Sequence, residues 1–329
     1  YFIGALYQCD CLQSNSAYNP GMPEVSIRQI QHGSLTWIDV QDPDLQTLQK
    51  LQVKHGFHEL DVEDCLSDNQ RSKVDEYDDY LFLILHLPYL DKRKDSVRVG
   101  EVDIFIKNNV LITIHWGDLK SVEDLFDECD RKELSRKKHM ELSTGYLLYA
   151  LLDRLFSSVF PMLDFIENNV ARLERDAFSD SMERDMLRDI LFVKKNIITS
   201  RRVVLPLRTV VAQIEHKNKK FIPDALDVYF DDILDKVEKI WSNLENFQEL
   251  IGSLQDTNES IIAHASNRVV KTLTVFSVVM LPLNLLAGMY GMNVNLPYAE
   301  NEHMFLFLGA GMVLVLIALL AIFKMKRWI

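Results

Sequence analysis

The sequence predicts an α/β domain, a mixed sheet with helices, followed by a long stalk helix that continues into the first of two C-terminal transmembrane helices. Three observations predict it. Strand-like runs are confined to the part up to Trp116, a proline-free helical pattern extends from Pro223 to Pro282, and two long segments near the C-terminus hold no Asp, Glu, Lys or Arg.

Up to residue 116 two periods are mixed. Runs at 35–40, 80–87, 97–106 and 110–116 are rich in β-branched and aromatic residues, which suit a pleated, half-buried surface. Lys107-Asn108-Asn109 between the last two reads as a hairpin turn, because asparagine tolerates positive φ. Helical spacing appears near 45–54 and 59–67. After Trp116 the strand pattern stops, and helices are predicted at about 119–137, 143–177 and 181–216. From Pro223 onward one helix carries Ile240, Leu244, Phe247, Ile251, Leu254, Asn258, Ile261, Ala265, Val269 and Leu273 at steps of three and four, which keeps them on one face. At 1.5 Å per residue it runs for about 85 to 90 Å, so it must project from the domain as a stalk and enter the membrane unbroken. Asn258 and the small Ala265 make the stripe imperfect for a dry core. An ordinary buried helix with one polar residue satisfies it, and so do several copies of this helix packed around an axis.

Composition permits both parts. A chain of 329 residues with 48% hydrophobic content can bury a core and still supply spans. The stretches from Lys271 to Glu300 and from Glu302 to Lys324 enclose no charge, apart from His303, and each exceeds the roughly 20 apolar residues that a bilayer core requires. The formal net charge is −12; Lys324, Lys326 and Arg327 against Glu300 and Glu302 account for +1, which leaves −13 on residues 1–271. So acidic a domain does not suit nucleic acid, whose binding rests on phosphate neutralisation, and it does suit cations. Cys9, Cys11, Cys65 and Cys129 lack zinc spacing and are expected as reduced thiols. No positively charged, apolar, small-residue segment opens the chain, so a signal peptide is not expected.

Orientation follows from the loops. Arg268 and Lys271 precede the first span and Lys324, Lys326 and Arg327 follow the second, whereas the connection holds only acids, so both ends of the hairpin face the cytoplasm. Trp328 fits an interfacial anchor at the inner face. The expected division is 1–222 cytoplasmic domain, 223–270 stalk, 271–293 first span, 294–303 outer loop, 304–324 second span and 325–329 basic tail. Two spans cannot enclose a water-filled path alone, so a transporting chain of this kind assembles around a shared axis; otherwise the hairpin only tethers the domain.

The first span ends in Ala287-Gly288-Met289-Tyr290-Gly291-Met292-Asn293, after Met280-Leu281-Pro282-Leu283-Asn284. Here the chain resembles the CorA family of magnesium channels, whose signature is Tyr-Gly-Met-Asn at the outer end of the first of two C-terminal spans. The short acidic loop, the basic tail, Gln70-Arg71-Ser72-Lys73-Val74 and Tyr146-Leu147-Leu148-Tyr149 are similar to that family too. The resemblance implies a funnel-shaped homo-oligomer, a pentamer, in a cell inner membrane, in contact with lipid and with no other protein partner evident. It implies magnesium as cargo, with cobalt or nickel as surrogates.

Gly291, Met292 and Asn293 are then the selectivity filter. Magnesium gives up water reluctantly, so neutral oxygens that hydrogen-bond its hydration shell, such as a ring of Asn293 amides and Gly291 carbonyls, bind it without trapping it. Glu300 and Glu302 could raise the local cation concentration. Down the same helix Asn284, Gly288, Leu281, Thr274, Leu273 and Asn267 lie close to one face. The resemblance makes that face the pore lining, with Asn284 and Gly288 a polar stage, Leu281 and Leu273 apolar constrictions, and Asn267 the cytoplasmic exit. The family often has Thr at the position of Asn284 and Met at that of Leu281. It also implies that Asp91 of one subunit and Asp232 of its neighbour bind regulatory magnesium. These acids, with Asp231, are expected to lack a local basic partner.

An enzyme is not expected. There is no P-loop, no Gly-x-Ser-x-Gly, no His-Glu-x-x-His and no Gly-x-Gly-x-x-Gly, and the only close histidine pair is His55 and His58. A zinc transporter of the same superfamily is the nearer alternative; such relatives usually carry Ile where this chain has Met292.

Overall fold

The computed structural model describes residues 25–67, 70–177, 186–217, 220–292, 303–326 and 328. Strands β1 (Ser26–His32), β2 (Leu35–Gln41), β3 (Lys73–Glu76), β4 (Leu81–Asp91), β5 (Ser96–Lys107) and β6 (Val110–His115) form one sheet in the order β1-β2-β6-β5-β4-β3. Only β2 and β6 pair in parallel. The expected turn closes β5 onto β6, with Lys107 opposite Val110 and Asn108 at φ 49°. Two edge strands escape the sequence pattern. β1 buries only Ile30 and β3 buries none of its four residues, so neither shows a full apolar alternation.

The helices α1 (Leu45–His55) and α2 (Glu59–Asp64) follow β2. Asp44 caps α1 by accepting from the Thr47 N–H at 2.8 Å, and Gly56 ends it at φ 72°, a conformation that glycine adopts without strain. The two cover one sheet face, where Leu48, Leu51, Val62 and Cys65 pack on Ile38, Ile84, Phe105 and Ile112. The opposite face buries Trp37, which meets Phe126 edge-on at 5.0 Å. Each such side chain contributes roughly 1.5–3 kcal/mol by leaving water.

Helices α3 (Lys120–Arg131), α4 (Glu133–Met140), α5 (Thr144–Ser157), α6 (Phe160–Ala177) and α7 (Met186–Lys217) follow. The segments 119–137 and 143–177, each expected as one helix, are each two: Lys132 leaves the helical region at φ −118°, ψ 113°, and residues 158–159 separate α5 from α6. Joined, Thr144–Ala177 is long and apolar enough to cross a membrane, yet more than half of its apolar window is buried inside the protein, which marks it as core. After a single 3-10 turn at Asp224–Leu226, α8 runs unbroken from Asp227 to Tyr290 through Pro282, and α9 spans Met304–Met325.

The chain divides into two compact units. The first comprises residues up to 173 and 188–251, and so holds the sheet, α1 to α5, most of α6 and α7, and the first part of α8; the second comprises 174–187 and 252–329. The stripe along α8 is buried at Ile240, Leu244, Phe247, Ile251, Leu254 and Asn258 and then emerges, with Val269 and Leu273 more than half exposed.

Candidate ion pathway and charged clusters

The membrane-facing part of α8 sorts its residues by angle. Val275 and Val279 are buried and Pro282, Leu283 and Leu286 are half-buried, which marks one covered stripe. At about 100° per residue, Asn267, Leu273, Thr274, Leu281, Asn284 and Gly288 fall within an arc of about 120° centred nearly opposite that stripe. Five of the six are exposed and Thr274 is half-exposed, its hydroxyl donating to the Val270 carbonyl at 2.8 Å. The predicted lining residues therefore share one uncovered face. Pro282 has no N–H to donate, which leaves the carbonyl four residues earlier without its helical partner.

Helix α9 is apolar around its whole circumference. Leu306, Phe307, Leu314 and Ile317 are each more than 60% exposed, and among the described residues a stripe through Leu308, Met312, Val315, Leu316, Leu319 and Phe323 is half-buried. A surface of that kind is stable against lipid or neighbouring helices, not water. Trp328 stacks on Phe323 at 5.9 Å. At the far end of α8 the Gly291 N–H donates to the Ala287 carbonyl at 3.0 Å, and Met292 is 61% exposed. Asn293 lies outside the described residues, as do Glu300, Glu302 and Arg327.

Two of the acids expected to be free of basic partners are paired. Asp91 is the last residue of β4; its Oδ2 sits 3.4 Å from Arg98 Nε and its Oδ1 accepts from the Arg93 N–H at 2.9 Å. Asp232 Oδ2 lies 2.8 Å from Lys236 Nζ, which also bonds Asp153. The Lys236 partner was visible as an i,i+4 spacing, whereas Arg98 reaches Asp91 only across the β4–β5 hairpin. Burial pulls the Lys236 ammonium pKa down, but the bonds to Asp153 and Asp232 outweigh it and hold the pKa above the usual lysine value. Asp231 is exposed and, among the described residues, forms no ion pair.

Other polar groups answer to the fold. His58 caps α2 through Nδ1 and His55 stacks on Phe57, so the close histidine pair is structural. Asp61, Asp64 and Asp75 converge closely enough to hold a metal ion. That space is already taken: Lys73 Nζ stands 2.7 Å from Asp64 and 2.5 Å from Asp75, and Asp61 accepts from the Tyr77 and Tyr80 hydroxyls. On the other face Asp39, fully buried, accepts from Thr113, His115 and Arg28. Burial pushes its carboxyl upward, but these bonds outweigh that push and hold it below the usual range. Asp103 is the opposite case. Burial first, and then the charge of Glu101, push its carboxyl well above the usual range, and its Oδ1 has no hydrogen-bond partner. Cys65 and Cys129 are buried free thiols, and Cys9 and Cys11 lie outside the described residues.

A family model described as "CorA-like Mg2+ transporter protein" matches residues 32–327. The cobalt/magnesium transport protein CorA of Thermotoga maritima is 26% identical over 297 residues, which cover 89% of this chain and 83% of that protein. The complete structure of the CorA magnesium transporter from Methanocaldococcus jannaschii superposes with a TM-score of 0.79 at 25% identity, over 93% of this chain and 95% of that one. The ZntB cytoplasmic domain from Vibrio parahaemolyticus matches with a TM-score of 0.59 at 14% identity over 70% of this chain and 88% of that one, a likeness of fold alone.

Proposed function

This chain belongs to the CorA-like Mg2+ transporter family, and we propose that it conducts magnesium into the cell as a homopentamer whose path is lined by one face of α8. The observation that carries this reading is the arc shared by Asn267, Leu273, Thr274, Leu281, Asn284 and Gly288, uncovered and nearly opposite the buried stripe through Val275 and Val279. An exposed helix face bearing amides, a hydroxyl and leucines makes sense around a shared axis, where copies of the same face enclose water. α9 then meets lipid, both termini lie in the cytoplasm, and the loop around 294–303 faces outside.

In this reading the hydrated ion meets Asn293 amides and Gly291 carbonyls first, with Met292 between them. Hydrogen bonds to its water shell replace bulk solvent at little cost, since the ion keeps its inner water. Below them Asn284 and Gly288 form a polar stage that hydrogen-bonds the same water shell, and Leu281 and Leu273 form apolar rings that close by losing water. Cobalt and nickel pass as surrogates of similar hydrated size. Regulatory magnesium binds between Asp91 of one subunit and Asp232 of the next, and it must displace Arg98 and Lys236 to do so. A divalent ion between facing carboxylates removes their repulsion and stabilises the closed ring; when internal magnesium falls, the ring loosens.

The test is uptake into liposomes loaded with a magnesium-sensitive dye. Wild type admits magnesium, Asn293→Ala does not although it still assembles, and hexaamminecobalt, a mimic of hydrated magnesium, blocks. Uptake that persists in Asn293→Ala overturns the filter assignment. No uptake by wild type with internal magnesium chelated overturns the channel reading.

A further inference from the structure

The segment Gln70-Arg71-Ser72-Lys73 is tied down at every polar side chain but one. Gln70 donates to Asp64 at 2.6 Å, Ser72 Oγ accepts from the His86 N–H at 3.0 Å, and Lys73 bridges Asp64 and Asp75. Arg71, held in place by these neighbours, is exposed and has no partner among the described residues. It lines a cavity of about 870 Å³ between the sheet and α7, together with a second exposed arginine, Arg202, which likewise has no partner among the described residues. Trp116, 42% exposed, lines the same space.

Arg71 and Arg202, neither paired with a carboxylate among the described residues, border one cavity. The lining also holds two acids: Glu101, beside His86 at 3.0 Å, and Asp118, whose Oδ1 accepts from the Tyr89 hydroxyl at 3.1 Å. We propose that this cavity binds a nucleoside polyphosphate. Arginine forks match phosphate oxygens bidentately, an exposed indole stacks a planar base, and the second oxygen of Asp118 is free to accept from a ribose hydroxyl or base amine. The volume lies within the range of about 300–1,000 Å³ typical of small-molecule sites.

The position gives binding a mechanical consequence. Arg202 adjoins Arg201, which with Arg208 lies over the Trp241 ring of α8 at 4.5 and 5.3 Å and pairs with Glu245, while Arg208 pairs with Glu238. A ligand that bridges Arg202 and Arg71 therefore restrains α7, the helix whose other face holds α8. Polyphosphates chelate magnesium, so uncomplexed nucleotide rises as free magnesium falls. This consequence rests on the transport reading; the binding itself does not.

Equilibrium dialysis of the detergent-solubilised full chain against ATP, and separately against inorganic tripolyphosphate, tests it without any transport measurement. One saturable ATP site per chain is expected, weakened at least about tenfold by Arg71→Glu and by Arg202→Glu and unchanged by Arg188→Glu, an exposed arginine of α7 away from the cavity. Trp116→Ala should weaken ATP and spare tripolyphosphate. If a reversal variant fails to hold its melting temperature or oligomeric size, Arg71→Gln and Arg202→Gln, which remove charge without reversing it, must reproduce the loss. Absent saturation, retention in both arginine variants, or equal loss in Arg188→Glu overturns the site. Equal loss of ATP and tripolyphosphate in Trp116→Ala overturns the assignment to a nucleotide.

Discussion

Removing the Lys236 ammonium should make the channel close at lower internal magnesium. Lys236 Nζ lies 2.8 Å from Asp232 Oδ2 and also bonds Asp153, so a cation arriving at Asp232 must displace a charge already in place. The Asp232 side chain is 54% exposed and that of Lys236 26%, so water screens the pair and it is worth about 0.2–1 kcal/mol rather than a buried bridge's several. At about 1.4 kcal/mol per tenfold, relieving that competition tightens magnesium binding up to about fivefold, and the loss of a positive charge between two carboxylates acts in the same direction. Lys236→Met keeps most of the aliphatic stem that packs along α8. The assay is magnesium influx into liposomes preloaded with graded magnesium, fitted for the internal concentration that halves the rate. Wild type should need about two- to fivefold more than Lys236→Met, and the ratio should shrink at high ionic strength, because an exposed pair is screened within about 10 Å at 0.1 M salt. An unchanged or raised half-closing concentration in Lys236→Met, with Asp232→Lys still abolishing closure, would refute the competition while leaving the regulatory site in place.

Three other perturbations have stated directions. Asp91→Lys, which places a cation where Arg98 already stands, should leave influx insensitive to internal magnesium; closure that is normal in both Asp91→Lys and Asp232→Lys puts the sensor elsewhere. Asp103→Asn should stabilise the protein increasingly with pH. The buried carboxyl keeps its proton in the folded state, whereas the unfolded chain releases it above about pH 4, so wild type loses about 1.4 kcal/mol per pH unit above that point until the raised folded-state pKa is passed. Melting curves of the two proteins from pH 4 to 8 should diverge in favour of the Asp103→Asn variant, and parallel curves would remove Asp103 from the account. Gly145→Val should lower the melting temperature by the equivalent of about 1–3 kcal/mol, since even a Cβ there comes within 3.1 Å of the Leu226 side chain and the Phe221 carbonyl.

What could be read from the residues alone was whatever is periodic or local. The 64-residue course of α8, the apolar α9, four of the six strands and the β5–β6 turn each carry their own pattern, because a helix face or a strand face is set by neighbours within a few positions. The arc of lining residues on α8 is of this kind, since 3.6 residues per turn orders it whatever surrounds the helix. The failures are equally physical. β1 and β3 sit at sheet edges and need no apolar face, and the break near Lys132 turns on packing that no single residue announces, whereas the one near Ser158 precedes Pro161, which cannot donate in a continuous helix. Which charges meet was beyond the sequence almost entirely. Arg28 finds Asp127 99 positions away, Lys236 finds Asp153 83 positions away, and Arg71 and Arg202 reach one cavity from a strand edge and a helix with no common period. An ion pair or a cavity wall is a property of two surfaces brought together, so it exists only after the hydrophobic faces have chosen how to stack.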